Sequence, residues 1–334
     1  MKRARITGVG HYVPERIVPN AELEKYMDTT SEWIIERTGI EERRFVDYGR
    51  ETNTYMSARA SEMALKRAGL EASDIDCIVF ATLSPDYYFP GNGVLLQREL
   101  GIASTHIPCI DLRAQCGGFI YALSVADQFI KSGMYRNILV ACSEVQSNLM
   151  ELSDRGRSMS VIFGDGAGSV VVQAHDEDGK GILSTHLHSD GTLAEELIMK
   201  NPGSMQEKRL TPEMLEDGSM LPYMNGNLVF KHAVVHFENV IREALEYNKL
   251  GVDDISLLIP HQANLRISKY IQGKLGLPDD RVFNNIQRYG NTTAASIPIA
   301  LSEAWEAGRV QAGDLLCFAA FGSGFVWGSA LVRF

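Results

Sequence analysis

Ala64-Leu-Lys-Arg-Ala-Gly-Leu-Glu-Ala-Ser-Asp-Ile-Asp-Cys-Ile-Val-Phe80 returns 180 positions later as Ala244-Leu-Glu-Tyr-Asn-Lys-Leu-Gly-Val-Asp-Asp-Ile-Ser-Leu-Leu-Ile259. Each copy reads as the end of a helix, a glycine stop, an acidic turn and a buried strand. Working outward, Gln97-Arg-Glu-Leu-Gly101 and Gln272-Gly-Lys-Leu-Gly276 end the next helix of each copy. Further on, helix Ala122–Gly133 with strand Asn137–Ser143 resembles helix Ala300–Gly308 with strand Asp314–Ala320. Alternating strands and helices of this length predict α/β architecture built from parallel βαβ units, with both sheet faces covered. The repeat divides the chain into residues 1–174 and 175–334, two pseudo-symmetric halves with a boundary near Ala174–Gly181.

Individual elements follow the same pattern. Strands are predicted at Arg5–Tyr12, Ile75–Thr82, His106–Leu112, Asn137–Ser143 and Ser169–Ala174, and helices at Asn20–Met27, Ser57–Ala68, Gly91–Leu100 and Tyr121–Ser132. Thr30-Ser-Glu-Trp-Ile-Ile-Glu-Arg37 reads as a capped helical turn ended by Gly39.

Bulk properties exclude several classes. The 334 residues are 45% hydrophobic and 22% charged, ordinary for a soluble globular chain. A formal charge of -10 argues against a general nucleic-acid or anionic-membrane binder. No apolar run approaches the roughly 18 residues needed to span a bilayer, and the basic N-terminal residues lack the apolar core of a signal peptide. Five cysteines have no metal-type spacing, so no metal and no disulfide scaffold is expected. Reduced thiols suit a cytoplasmic location.

One cysteine stands apart. Asp111-Leu-Arg-Ala-Gln-Cys-Gly-Gly-Phe-Ile-Tyr-Ala-Leu123 places Cys116 where a strand gives way to a helix. The partial positive charge at a helix N-terminus favours thiolate, the nucleophilic form. A small buried cysteine at a turn is the alternative. Superposing one copy on the other pairs this turn with Arg288-Tyr-Gly-Asn-Thr-Thr-Ala-Ala-Ser-Ile-Pro298. The same operation pairs the end of strand Ile75–Thr82 with Leu257-Leu-Ile-Pro-His-Gln-Ala-Asn-Leu-Arg266. Ligands gather at the carboxyl ends of strands in α/β sheets, so Cys116, His261 and Asn291 form one candidate site. Trp33 and Arg37, four apart on one helix face, could offer a ring and a guanidinium to a nucleotide, or simply anchor a surface helix.

These stretches, with Phe163-Gly-Asp-Gly-Ala-Gly168 and the ending Phe321–Phe334, resemble the β-ketoacyl-acyl carrier protein synthase III family of thiolase-like condensing enzymes. The resemblance implies a five-layered α-β-α-β-α sandwich and decarboxylative condensation of an acyl-CoA primer with malonyl-acyl carrier protein. Cys116 is then the nucleophile, and His261 and Asn291 the neutral donors for the malonyl-derived enolate. The backbone N–H groups of Cys116 and Ser323 would form the oxyanion hole. Coenzyme A would be held by Trp33, Arg37, Arg155, Gly226, Asn227 and Asn264, and no further cofactor is implied. A carrier protein that is itself acidic would need a basic patch, for which Arg266, Lys269 and Lys274 are the candidates.

The family pattern also implies a homodimer in which Phe89, in the bulky Tyr87-Tyr-Phe-Pro90 segment, gates the acyl pocket across the interface. The Met-rich excursion Leu193–Tyr223 is expected to cap the tunnel, and Phe163–Gly168 to form a tight turn beside the site. Gln115 and Gly117 stand where the family usually has Ala and Ser, and Ser323 where it has Gly. These departures leave room for a specialised relative that condenses polyketide starters, alkylquinolone precursors or long fatty acyl chains.

Overall fold

A computed structural model describes residues 2–103 and 105–334. In the first half, β1 (Arg3–Tyr12), α1 (Asn53–Ala68), β2 (Cys77–Ala81), α2 (Asn92–Glu99), β3 (Cys109–Leu112), α3 (Gly118–Lys131), β4 (Asn137–Glu144) and β5 (Gly166–His175) follow one another. They build a sheet of order β1-β5-β4-β2-β3. Strands β4, β2 and β3 run parallel, while β5 is antiparallel to both neighbours.

The second half repeats the scheme with β6 (Gly181–Ser189), α4 (Gly226–Tyr247), β7 (Leu257–Pro260), α5 (Leu265–Leu275), α6 (Ser296–Glu306), β8 (Leu315–Gly322) and β9 (Val326–Arg333). Its sheet order is β6-β9-β8-β7, with the same strand directions. The counterpart of β3 shrinks to a single parallel bridge between Leu258 and Val282. The acidic turns also match: Asp74 accepts from the Glu71 N–H at 2.9 Å, and Asp254 from the Gly251 N–H at 2.7 Å.

Alternation along the central strands sorts the core into layers. Along β4, Ile138, Val140 and Cys142 face the middle of the molecule, and Leu139 and Ala141 face outward onto α1 and α2. Along β8, Leu316, Phe318 and Ala320 face the middle, and Leu315, Cys317, Ala319 and Phe321 face α4 and α5. Helices α3 and α6 fill the space between the sheets, with Phe119 edge-on to Phe318 at 5.8 Å. The result is the five-layered α-β-α-β-α sandwich expected from the sequence. Both halves share this central core, so neither 1–174 nor 175–334 buries its own apolar surface alone.

Three helices differ from the sequence reading, α1 by starting at Asn53, four residues before Ser57. The Asn20–Met27 pattern yields only one helical turn, Asn20–Leu23. The buried Asn20 amide is held by the Ile40 carbonyl and by Arg43, which turns the chain. Helix α3 starts at Gly118 instead of Tyr121. A Cβ at Gly118 would lie 2.9 Å from the Ala294 Cβ and 3.1 Å from the Ala81 Cβ. Its glycine is there for close approach between the halves, not to break the helix.

Candidate active site

The turn Gln115–Gly117 carries Cys116 from the end of β3 into the first residue of α3. Its twin, Thr293–Ala295, leads in the same way into α6. The first residue of each turn is a non-glycine in the left-handed region, Gln115 at φ 43° and Thr293 at φ 46°. Such backbone costs on the order of 1–3 kcal/mol and persists where surrounding packing imposes it. Gly322, the last residue of β8, covers the nucleophile: a Cβ there would stand 2.6 Å from the Cys116 Cβ and 3.1 Å from its Sγ.

His261 follows β7 and donates its backbone N–H to the Ala319 carbonyl at 2.8 Å. It is buried, and its Nδ1 lies 2.6 Å from the Ser296 Oγ at the start of α6. Ser296 Oγ also accepts from the Gln262 N–H at 3.3 Å. Its single proton has no other acceptor among the described residues, so it is assigned to His261 Nδ1. The imidazole then carries its own proton on Nε2, which has no hydrogen-bond partner among the described residues. Asn291 is clamped by the segment just before β5: its N–H donates to the Ile162 carbonyl at 2.9 Å, and its carbonyl accepts from Gly164 at 3.2 Å. The tight turn expected over Phe163–Gly168 is instead a bridge at Phe163 followed by the start of β5 at Gly166. Its Oδ1 accepts from the Thr293 N–H at 2.8 Å, leaving the amide N–H groups as its free end.

Burial sets the charge states. It depresses the His261 pKa to about 3, so this ring is neutral throughout the physiological range. It also pushes the Cys116 thiol up to about 12. Burial is the largest cause of that rise and the buried Glu144 adds to it, while the Cys116 and Ser323 N–H groups oppose it. The sequence predicts a thiolate from the helix field; burial acts in the opposite direction and favours the thiol. Alkylation of Cys116 by iodoacetamide is therefore expected to accelerate about tenfold per pH unit from pH 6 to 9. A rate that levels off below pH 8 would contradict this.

The profile of 3-oxoacyl-[acyl-carrier-protein] synthase III matches residues 110–191, and that of its C-terminal region matches residues 245–334. A β-ketoacyl-[acyl-carrier-protein] synthase III of Aliivibrio fischeri is 45% identical over 331 residues, covering 99% of each chain. The chain belongs to the β-ketoacyl-[acyl-carrier-protein] synthase III family. Among solved structures, the synthase III of Aquifex aeolicus shares 43% identity with a TM-score of 0.90, covering 99% of this chain and 100% of its own. A priming β-ketosynthase of the R1128 polyketide pathway shares 36% identity with a TM-score of 0.88, covering 99% and 97%.

Around the synthase III trio, the structure gathers some of the expected binding residues and separates others. The short helix Ser31–Thr38, capped by Thr30 and Gly39, holds the Arg37 guanidinium 4.7 Å from the Trp33 ring. Asn264 caps α5 and donates to the Arg37 carbonyl at 2.9 Å. Gly226 and Asn227 open α4, whose Phe230 lies 5.8 Å from the Arg266 guanidinium.

Arg155 stands apart from this group, bonded to Glu151 and, at 2.7 Å, to the Glu216 carbonyl. Its neighbour Arg157 takes the place beside Trp33, at 5.4 Å. In the basic patch, Lys269 is paired with Asp279 at 2.7 Å and Lys274 lies over Tyr270, so Arg266 is the member nearest Trp33 and Arg37 in the assembly.

Phe89 is 79% exposed. The excursion reaches the nucleophile's surroundings through Leu197, whose carbonyl accepts from the Ser323 hydroxyl. That contact gives the serine a role a glycine could not fill. At Gly117 a side chain would meet Val326 at 3.4 Å and the Tyr121 ring at 3.5 Å. Ser296 and Arg157 are the residues that motif reading passed over. The repeat carried the signal for Ser296, which is the counterpart of Gly118.

Proposed function

We propose that this synthase III joins an acyl-CoA primer to malonyl-acyl carrier protein, releasing CO2 and CoA, through an acyl-Cys116 intermediate, and so opens fatty acid synthesis. The observation that carries this reading is a buried thiol packed under Gly322 in a chain that also buries a neutral imidazole, His261, and an amide, Asn291, at strand ends and turns that the repeat superposes.

In the first half-reaction, Cys116 Sγ attacks the thioester carbonyl. The developing oxyanion accepts from the Cys116 and Ser323 N–H groups, the bond to CoA sulfur breaks, and the thiol proton leaves on CoA. Such donors contribute about 10²–10³-fold in rate each. In the second, the malonyl C–CO2 bond breaks and the electron pair moves onto the thioester oxygen. His261 Nε2–H and the Asn291 amide stabilise that enolate, and its carbon attacks acyl-Cys116, breaking the C–S bond to release the Cys116 thiolate, which takes up a proton from solvent to restore the thiol. An amide cannot remove a proton, so the pair favours decarboxylation over deprotonation of an acetyl group.

The same reading assigns the adenine end of CoA to Trp33, Arg37 and Arg157, and the rest of the molecule to Asn264, Gly226 and Asn227. Arg266 leads the carrier-protein docking surface. No cofactor beyond the thioester is needed. The protein would work in the cytoplasm as a homodimer, with Phe89 gating the partner's pocket; no described helix is long and apolar enough to cross a membrane. The division near residues 174–181 separates the half that supplies Cys116 from the half that supplies His261 and Asn291. Intact mass spectrometry with acetyl-CoA and longer acyl-CoAs tests the reading. An acyl adduct on Cys116 is expected, followed by CO2 release when malonyl-acyl carrier protein is added; no adduct with any acyl-CoA overturns it.

A further inference from the structure

Behind the turn 322–325 lies an aromatic stack that the condensation chemistry does not use. Alternation along β8 sends Phe321 to the outer face, where Phe325 and Trp327 join it. From the other side, α4 contributes His232 and His236, four residues apart and so on one helix face.

The His236 ring lies 4.1 Å from Trp327, 5.8 Å from Phe321 at an interplanar angle of 4°, and 5.7 Å from His232. His232 reaches Phe325 at 5.7 Å, and His188 of β6 stacks on the indole of Trp327 at 5.5 Å. His188 is fixed in turn by Glu243 at 2.6 Å and by the Tyr121 hydroxyl, which donates to its carbonyl at 2.9 Å. His236 makes these ring contacts and no side-chain hydrogen bond among the described residues.

The flanks of the turn are thus gripped by rings, and its end by backbone. Phe325 and Asp190 exchange N–H to carbonyl bonds at 2.7 and 2.8 Å. Between these anchors stands Ser323, whose N–H faces the Cys116 sulfur. A displaced turn moves that donor, and a misplacement of about 1 Å can cost about 10²-fold in rate.

We propose that His236 is a positioning residue for acyl transfer: wedged against Phe321 and Trp327, it holds the turn that aims the Ser323 N–H. This rests on the assignment of Ser323 to the oxyanion hole. The contact is one of flat rings, so shape and not protonation is what the position supplies.

The test compares the single-turnover rate of Cys116 acylation by acetyl-CoA in wild type, His236→Ala and His236→Phe. His236→Ala is expected to lower the rate about 10- to 100-fold, with the apparent KM for acetyl-CoA changed less than about threefold. His236→Phe should recover all but about threefold. Cys116 alkylation by iodoacetamide, which forms no oxyanion, should be unchanged in both variants.

An acylation rate in His236→Ala within about twofold of wild type overturns the proposal. So does a Phe variant no better than the Ala variant, or a parallel loss of alkylation and melting temperature. Failure of the wild type itself to form acyl-Cys116 would instead overturn the functional reading beneath it.

Discussion

Replacing Gly322 with alanine is expected to slow acylation of Cys116 by about 10²–10³-fold, the magnitude associated with losing one oxyanion donor. The new Cβ would sit 2.6 Å from the Cys116 Cβ and 3.1 Å from its Sγ, closer than van der Waals contact allows. Neither neighbour can yield easily. Cys116 stands between the strained Gln115 and the N-terminus of α3, and Gly118 is pressed against Ala294 and Ala81. The turn 322–325 must therefore move, and the Ser323 N–H moves with it. Single-turnover acylation followed by intact mass reads the loss. A melting curve separates it from unfolding, because Gly322 pairs with Val326 at the turn end of a hairpin that continues to Leu315 and Arg333. An acylation rate within about threefold of wild type would show that the close approach does not constrain the reaction.

The same packing explains what could be read in the sequence and what could not. The architecture was legible because each half spells out its helix, glycine stop, acidic turn and strand in consecutive residues. Cys116, His261 and Asn291 were legible because each sits at a strand end or turn that the repeat superposes. The second sheet's missing fifth strand was less accessible: Val282 keeps one bridge of the pattern, and a single residue has no periodicity to read. Arg157 was hidden because Arg155 stands two residues before it with the same side chain, and only the folded loop shows which guanidinium reaches Trp33.

The charge state of Cys116 depended on something no local stretch records. The helix field is written next to the cysteine, whereas burial comes from Gly322, and Glu144 lies at the end of a different strand. The histidine stack was dispersed in the same way. His188 and His236 belong to a strand and a helix separated by the whole excursion; strand pairing sets His188 beside Trp327, and packing of α4 on β9 brings His236 to it.

Ser296 presents the sharpest case, because its substitution should divide the two half-reactions. In Ser296→Ala, His261 Nδ1 loses the proton donor 2.6 Å away, and the Gln262 N–H loses its acceptor. Nothing then holds the imidazole proton on Nε2, and the tautomer that presents a donor to the enolate is no longer enforced. Condensation, read as CO2 released from malonyl-acyl carrier protein by acylated enzyme, is expected to fall about 10²-fold, the lower end of what a positioned proton-bearing group contributes. Acylation of Cys116 should stay within about threefold of wild type, because the first half-reaction draws on the Cys116 and Ser323 N–H groups and returns its proton to CoA. Some stability is lost as well, about 1–3 kcal/mol for buried polar groups left unpaired. That loss shifts the melting temperature but cannot by itself slow one half-reaction and spare the other. Equal losses in both steps would mean that Ser296 only supports the packing of α6. An unchanged rate of CO2 release would mean that His261 finds its tautomer without help.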